Sequence, residues 1–221
     1  MEIDGRAVSI ARVAGKARAI TGRAGPAAGR AFSRRRLRGR IQAGSKLHLG
    51  CGRNRFAGWV HIDRDLSVRP DIVHDLRWGL PGDSGVASLI YSEHVLEHLS
   101  LPCAIQLLGD CRSVLDDGGV LRIAMPDLAE LVRAYQGEWR DQPWLDDPGF
   151  AYIDTPARML NVSMREWGHQ YLYDRGELEL RLRDAGFDQI RWCAWGRSDE
   201  PELTDRETRL DSRLIAEAVA A

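Results

Sequence analysis

The sequence predicts an α/β domain built on one doubly wound, largely parallel sheet, and three observations predict it. From Ser45 onward, short apolar runs alternate with stretches of helical periodicity. Seven such runs can be counted, which suits a single sheet. Two glycines follow the first run directly, in "KLHLGCGRNRFAGWVHIDRD" at 46–65, the position where such sheets turn sharply beside a ligand.

The runs expected as strands are 46–49, 59–62, 72–74, 87–91, 120–124, 190–194 and 214–219. Between Pro102 and Leu115, Ala104, Ile105, Leu107, Leu108, Cys111 and Val114 recur at helical spacing, and "DDGG" is expected to stop that helix. A second helix is announced by Asp174 and Glu177, an acidic cap before Leu178 and Leu182, with Gly186 as terminator. The segment at about 137–173 holds Trp139, Trp144, Tyr152, Trp167, Tyr171 and Tyr173 without clear periodicity. It reads as an insertion over the active face, or as a small satellite core of aromatic residues.

Charge divides the chain unequally. Residues 1–44 carry 11 Lys and Arg against 2 acids, whereas the other 177 residues are net acidic. That Ala, Gly and Arg-rich tail cannot build a packed core and is expected to be disordered or partly helical. A basic arm of this kind suits an anionic membrane surface or an acidic partner. The domain proper is placed at 45–221. Cys51, Cys103, Cys111 and Cys193 form no CxxC pair and are expected as reduced thiols in a cytoplasmic protein, at most peripheral to the inner face of the membrane.

Gly50 and Gly52 allow the backbone to turn and approach a ligand without a side chain intervening. Asp63, at the end of the next strand, can accept both hydroxyls of a ribose. It comes only 13 residues after Gly50, too early for the dinucleotide fingerprint, and Arg55 replaces the third glycine. A ligand with a ribose but no pyrophosphate fits better. Asp75, in "DIVHDLRWGLP", stands where an adenine amine can be received, with the Leu76 amide beside it.

By this point "LHLGCG", "HID", "HDLRWGLP", "SLIYSEHVLEHL", "VLDDGGVLRIAMPD" and "LRDAGF" resemble, in order, the motifs of the class I S-adenosylmethionine-dependent methyltransferases. They are most similar to the type 11 methyltransferase domain and its bacterial predicted-methyltransferase branch, over residues 45 to about 195. The resemblance implies a Rossmann-like seven-stranded sheet with helices on both faces and a final antiparallel strand. It also implies that Gly50, Cys51 and Gly52 line the methionine part of S-adenosylmethionine. Asp63 would hold the ribose, Asp75 and Leu76 the adenine, and Ser92 with Glu93 the wall beside the sulfonium. The stretch between Gly52 and Asp63 is shorter than the pattern.

Methyl transfer to a hydroxyl needs a base for the departing proton, and a neutral histidine is suited to it. His169 is the first candidate, with Asp127 and His94 as alternatives. Asn161, Arg165 and Tyr171 are candidates for orienting an oxygen-rich acceptor. His61 and His74, in or beside strands, read as packing residues. "HVLEH" matches the HxxEH pattern of inverted zinc peptidases, but its place after a strand within the ordered motif set speaks against that chemistry. Ubiquinone-pathway and plant small-RNA methyltransferases, which resemble this segment, hold a divalent ion there. His94, Glu97, His98 and His169 could copy that set, although His94 replaces the expected acid, and no metal is the expectation.

The function expected is O-methylation of a hydroxylated small molecule, sugar or glycolipid head group. The alternatives are a non-catalytic cofactor-binding or partner-recruiting protein, and a methyltransferase for RNA or protein. Nucleic acid is disfavoured by the acidic body and the lack of a basic groove.

Overall fold

The computed structural model describes residues 40–80 and 82–220 of the chain. The basic-tail expectation therefore falls, for residues 1–39, outside the described residues. Ile41, assigned with the tail, is buried in the main core, and Arg40 donates to the Asp71 carbonyl.

Seven strands form one sheet in the order β3-β2-β1-β4-β5-β7-β6. They are β1 (Ser45–Leu49), β2 (Val60–Asp63), β3 (Ile72–Val73), β4 (Ala87–Glu93), β5 (Leu115–Met125), β6 (Gln189–Trp192) and β7 (Leu214–Val219). All seven lie within a few residues of the apolar runs that predict them. β1 to β5 pair in parallel, while β7 runs antiparallel between β5 and β6. The order reverses between β1 and β4. At such a switch point the connections leave in opposite directions and open a crevice at the carboxyl ends of the strands.

Side chains alternate across the strands. Leu47, Leu49, Ile90, Leu121 and Ile123 face α1 (Leu101–Val114) and α4 (Arg175–Asp184) in the main core. The other face carries a polar rung. His61, His48, Tyr91, Arg122 and Glu217 are register partners across five strands, and all five are buried. Phe56, Trp59 and Leu203 cover part of it, so on this side the β6–β7 connection with its helical turn Pro201–Leu203 closes the sheet.

Helix α1 keeps to the predicted span, but "DDGG" is not its stop. Leu115 is its C-cap and already begins β5. The strand takes up Asp116 to Gly119 through a register shift between Ala87 and Leu89, and Gly118 adopts φ +81° there. A bulge absorbs extra residues without ending the pairing, which periodicity could not reveal. Helix α4 starts as predicted, with the Asp174 carboxylate accepting from the Glu177 amide, and Gly186 follows it at φ +92°.

The aromatic segment contains helical turns, α3 (Pro156–Asn161) and a π-turn (Val162–Glu166). Trp144, Ile153, Met159 and Val162 form its own core with Leu131 and Ala134 of α2 (Leu128–Gln136), and Trp139, Phe150 and Trp167 pack against it. The segment thus has a satellite core of its own, into which its indoles pack. No helix of the described residues is long and apolar enough to cross a membrane.

Candidate functional site

The crevice at the switch point begins with the glycine turn after β1. Gly50 and Gly52 have φ +61° and +51°, a conformation that costs other residues. Their roles differ. A Cβ on Gly50 would lie 2.3 Å from Val95 Cγ2, so that glycine lets the ends of β1 and β4 pack together. At Gly52 nothing lies within 4 Å, so that glycine leaves open ground. Cys51 between them is buried with its thiol turned inward. Burial, then Asp63, pushes the thiol up to about 11. Its backbone holds the turn, the amide donating to the Ile62 carbonyl and the carbonyl accepting from the Asn54 amide.

Asp63 closes the turn. Its carboxylate accepts from the Gly52 amide at 2.8 Å and from the Asp65 amide at 2.8 Å. The acid is thereby fixed at the mouth of the crevice. Asp75, after β3, caps the turn Leu76–Trp78 and is paired with Arg77, whose guanidinium donates to both its oxygens. Burial raises its pKa, but the bonds and charge of Arg77 outweigh this and hold the carboxyl below its usual range. Leu76 is buried beside it.

Ser92 and Glu93 end β4, and both are buried. Glu93 accepts from the Thr208 amide and hydroxyl, the Arg209 amide and the Ser212 hydroxyl. None of these four donors was singled out in the sequence, because the β6–β7 connection is more than a hundred residues away. Directly after Glu93, His94 stands at φ +52°, an unusual and strained value for a side-chain-bearing residue.

Four side chains then meet in a chain of alternating acid and imidazole. Asp211 Oδ1 lies 3.4 Å from His94 Nε2, His94 Nδ1 lies 3.1 Å from Glu97 Oε1, and Glu97 Oε1 lies 3.9 Å from His169 Nε2. The side chains of Glu97 and His169 are each 1% exposed. Neither Glu97 oxygen and neither His169 ring nitrogen makes a hydrogen bond within normal geometry. Burial opposes protonation of His94, but the flanking Asp211 and Glu97 lift it to about 9. At His169 burial prevails over Glu97 and lowers the pKa. Near neutral pH, His94 is therefore a cation and His169 a neutral imidazole.

The remaining predicted residues fall in different places. His98 is outside the cluster of donors and packs edge-on against His169, with ring centroids 4.7 Å apart. Asp127 caps α2 by accepting from the Ala129 amide. Asn161 donates to the Ala157 carbonyl of its own helix and Arg165 is exposed, while the Tyr171 hydroxyl donates to Glu177. Asn161 and Tyr171 are thus used locally, by α3 and α4. His61 pairs with Asp71 and His74 bonds the Gly79 carbonyl, the packing roles their positions indicate.

A cleft lined mostly by other residues reaches the outer end of the acid and imidazole chain at Asp211. Asp127, Glu130, Trp144, Ser163, Asp211 and Arg213 line it at the end of β5. It opens into a wider polar groove of about 560 Å³ flanked by Arg133 and Asp141, within the usual size range for small ligands.

Strand order, the crevice between β1 and β4 and the antiparallel β7 define the fold of the class I methyltransferases, and the chain has that fold. It is similar over 87% of its length, at 12% identity and a TM-score of 0.50, to a SAM-dependent methyltransferase from Thermotoga maritima described as a possible histamine N-methyltransferase, of which it covers 89%. Two further similar structures are a SAM-dependent methyltransferase from Archaeoglobus fulgidus and a possible exported protein from Bordetella parapertussis. Both are 15% identical over 86% of this chain, with TM-scores of 0.48 and 0.47, covering 93% and 66% of those chains. The chain thus spans about two thirds of the Bordetella protein. No protein-family model and no curated protein matches the sequence.

Proposed function

We propose that this chain is an S-adenosylmethionine-dependent methyltransferase acting on a small polar acceptor, with a hydroxyl as the receiving group. The observation that carries the reading is the glycine turn tied to Asp63 at the switch point. Gly52 leaves the floor open, Asp63 is held where a ribose is received, and Asp75 with Leu76 stands at the next strand end. The sulfonium arrives already activated, so the protein's task is to align an acceptor behind the methyl and take its proton.

For the proton, His169 is the preferred base. His94 carries a proton already, and Asp127 is engaged as a cap. Glu97 faces His169 and would stabilise the imidazolium as it forms. The polar groove leading to Asp211 and Ser163 suits a sugar-sized, oxygen-rich acceptor, with Gln142, Glu130 and Arg213 at its walls.

Calorimetry with S-adenosylhomocysteine tests the reading. Asp63→Ala is expected to lose measurable affinity, and unchanged affinity would count against the cofactor site. His169→Ala is expected to keep cofactor affinity and lose turnover by about 10²-fold or more. Release of S-adenosylhomocysteine with a panel of sugars, phenols and amines separates an enzyme from a binding protein and an oxygen from a nitrogen acceptor.

A second reading of the acid and imidazole cluster is a divalent cation. The specific observation is that His94, Glu97 and His169 each offer a donor atom, all within 4.8 Å of one another, while both Glu97 oxygens lack hydrogen-bond donors. Such an ion would polarise an acceptor oxygen. Mg²⁺ or Mn²⁺ should then raise the melting temperature of the wild-type chain and not of Glu97→Gln; equal curves with and without metal would dismiss it.

A further inference from the structure

The β6–β7 connection reaches the ends of both β1 and β4 at the switch point. Its residues 207–212 form an arch with buried feet and an exposed crown: Glu207 and Ser212 are buried, whereas Thr208, Arg209 and Leu210 are exposed. One foot is permanent, because Glu207 is paired with the fully buried Arg122 of β5 at 2.7 Å. The crown is held differently. The Thr208 and Arg209 amides and the Thr208 hydroxyl all converge on the carboxylate of Glu93 at the end of β4. The same Thr208 hydroxyl receives Asn54 Nδ2 at 3.2 Å, and Asn54 belongs to the glycine turn after β1, its amide bonded to the Cys51 carbonyl.

The arch therefore ties β1 to β4 across the switch point, beside the glycine turn that holds Gly52. Little apolar packing supports it there. Leu210, its one large aliphatic side chain, is 56% exposed. A segment held by polar bonds to one carboxylate opens at lower cost than the sheet beneath it. Downstream of the crown, Asp211 and Arg213 line the acceptor cleft, and Asp211 touches His94.

We infer that residues 207–212 are a gate latched on Glu93: the crown must release that carboxylate for the cofactor to enter and for its product to leave, and its closure completes the wall of the acceptor cleft. This rests on the cofactor reading above. In the closed state Glu93 is engaged by the gate and shapes the site from beneath it. The exposed crown swings about the buried feet while Arg122 keeps the connection attached.

The test uses the full chain and S-adenosylhomocysteine, followed by stopped-flow fluorescence. Thr208→Val removes the hydroxyl shared by Glu93 and Asn54 and keeps the bulk and the amide. Both the association and the dissociation rate constants should rise about tenfold, the loss of one charge-assisted hydrogen bond, with Kd changed little. Unchanged rate constants, or a weaker Kd with unaltered association, would overturn the gate. Hydrogen exchange on the unmodified chain gives an arm independent of any variant and of any ligand. The Thr208 and Arg209 amides should exchange far faster than those of Ile90 and Tyr91 in β4, and exchange as slow as β4 would refute local opening. If the unmodified chain binds no S-adenosylhomocysteine while its crown exchanges rapidly, the cofactor reading fails and the strap is mobile for another reason, which likewise overturns the gate.

Discussion

His48 stands in the middle of β1 with its ring stacked on Phe56, the centroids 4.4 Å apart and the planes 3° from parallel. Burial first, and then the charges of His61, Arg206 and Arg55, lower its pKa to about 3. The unfolded chain takes up this proton near pH 6.5, whereas the folded chain resists it until about pH 3. Below pH 6.5 the unfolded state therefore binds more protons, and folding stability should fall by about 1.4 kcal/mol per pH unit on this account. Urea denaturation between pH 4 and pH 7 reads that slope, and His48→Phe should flatten it. The same rule of environment separates His94 from His169, two imidazoles on one carboxylate. Neither composition nor spacing distinguishes them, because the difference lies in Asp211, which reaches His94 from the far end of the chain.

Among the elements, α2 shows how a candidate catalytic carboxylate can be a structural one. Asp127 follows β5 where functional residues gather in this kind of sheet, yet its oxygen satisfies the Ala129 amide at the start of the helix. Asparagine caps as well as aspartate. Asp127→Asn should therefore leave both melting temperature and turnover close to wild type, whereas a general base would lose about 10²-fold in kcat on the same change. Strands and the two predicted helices were legible because their apolar periodicity is local. The bulge in β5 was not, since "DDGG" has the composition of a turn and only pairing with β4 and β7 keeps it in the strand. The substrate candidates Asn161, Arg165 and Tyr171 were chosen for chemistry within an aromatic segment. Asn161 and Tyr171 are taken up by neighbours and Arg165 is exposed, outcomes that chemistry alone does not order.

For the whole molecule, Arg122 is the point on which the two sides of the sheet depend. It is fully buried and bonded to Glu207 and Glu217, each at 2.7 Å, and Glu217 is in turn reached by Ser198 and Arg191. Removing Arg122 leaves Glu207 without a cation in the interior and Glu217 with Arg191 alone. Arg122→Met should cost about 3–5 kcal/mol, read from the urea midpoint, with part recovered in the triple variant that also carries Glu207→Gln and Glu217→Gln. The network joins β5, β7 and the β6–β7 connection, so it also fixes the foot of the arch over the crevice.

What the sequence by itself determined is the order of strands and helices, the place of the glycine turn and the acids at two strand ends, because each depends on residues close together in the chain. The tertiary structure alone decided which groups share a site. Glu93 meets Thr208, His94 meets Asp211, and Glu97 meets His169 across gaps of up to 117 residues. Those meetings depend on where the sheet places its strand ends and on how the β6–β7 connection returns over them. Burial and the neighbouring carboxylates then set the protonation of His94 and His169, and both are properties of the assembled molecule.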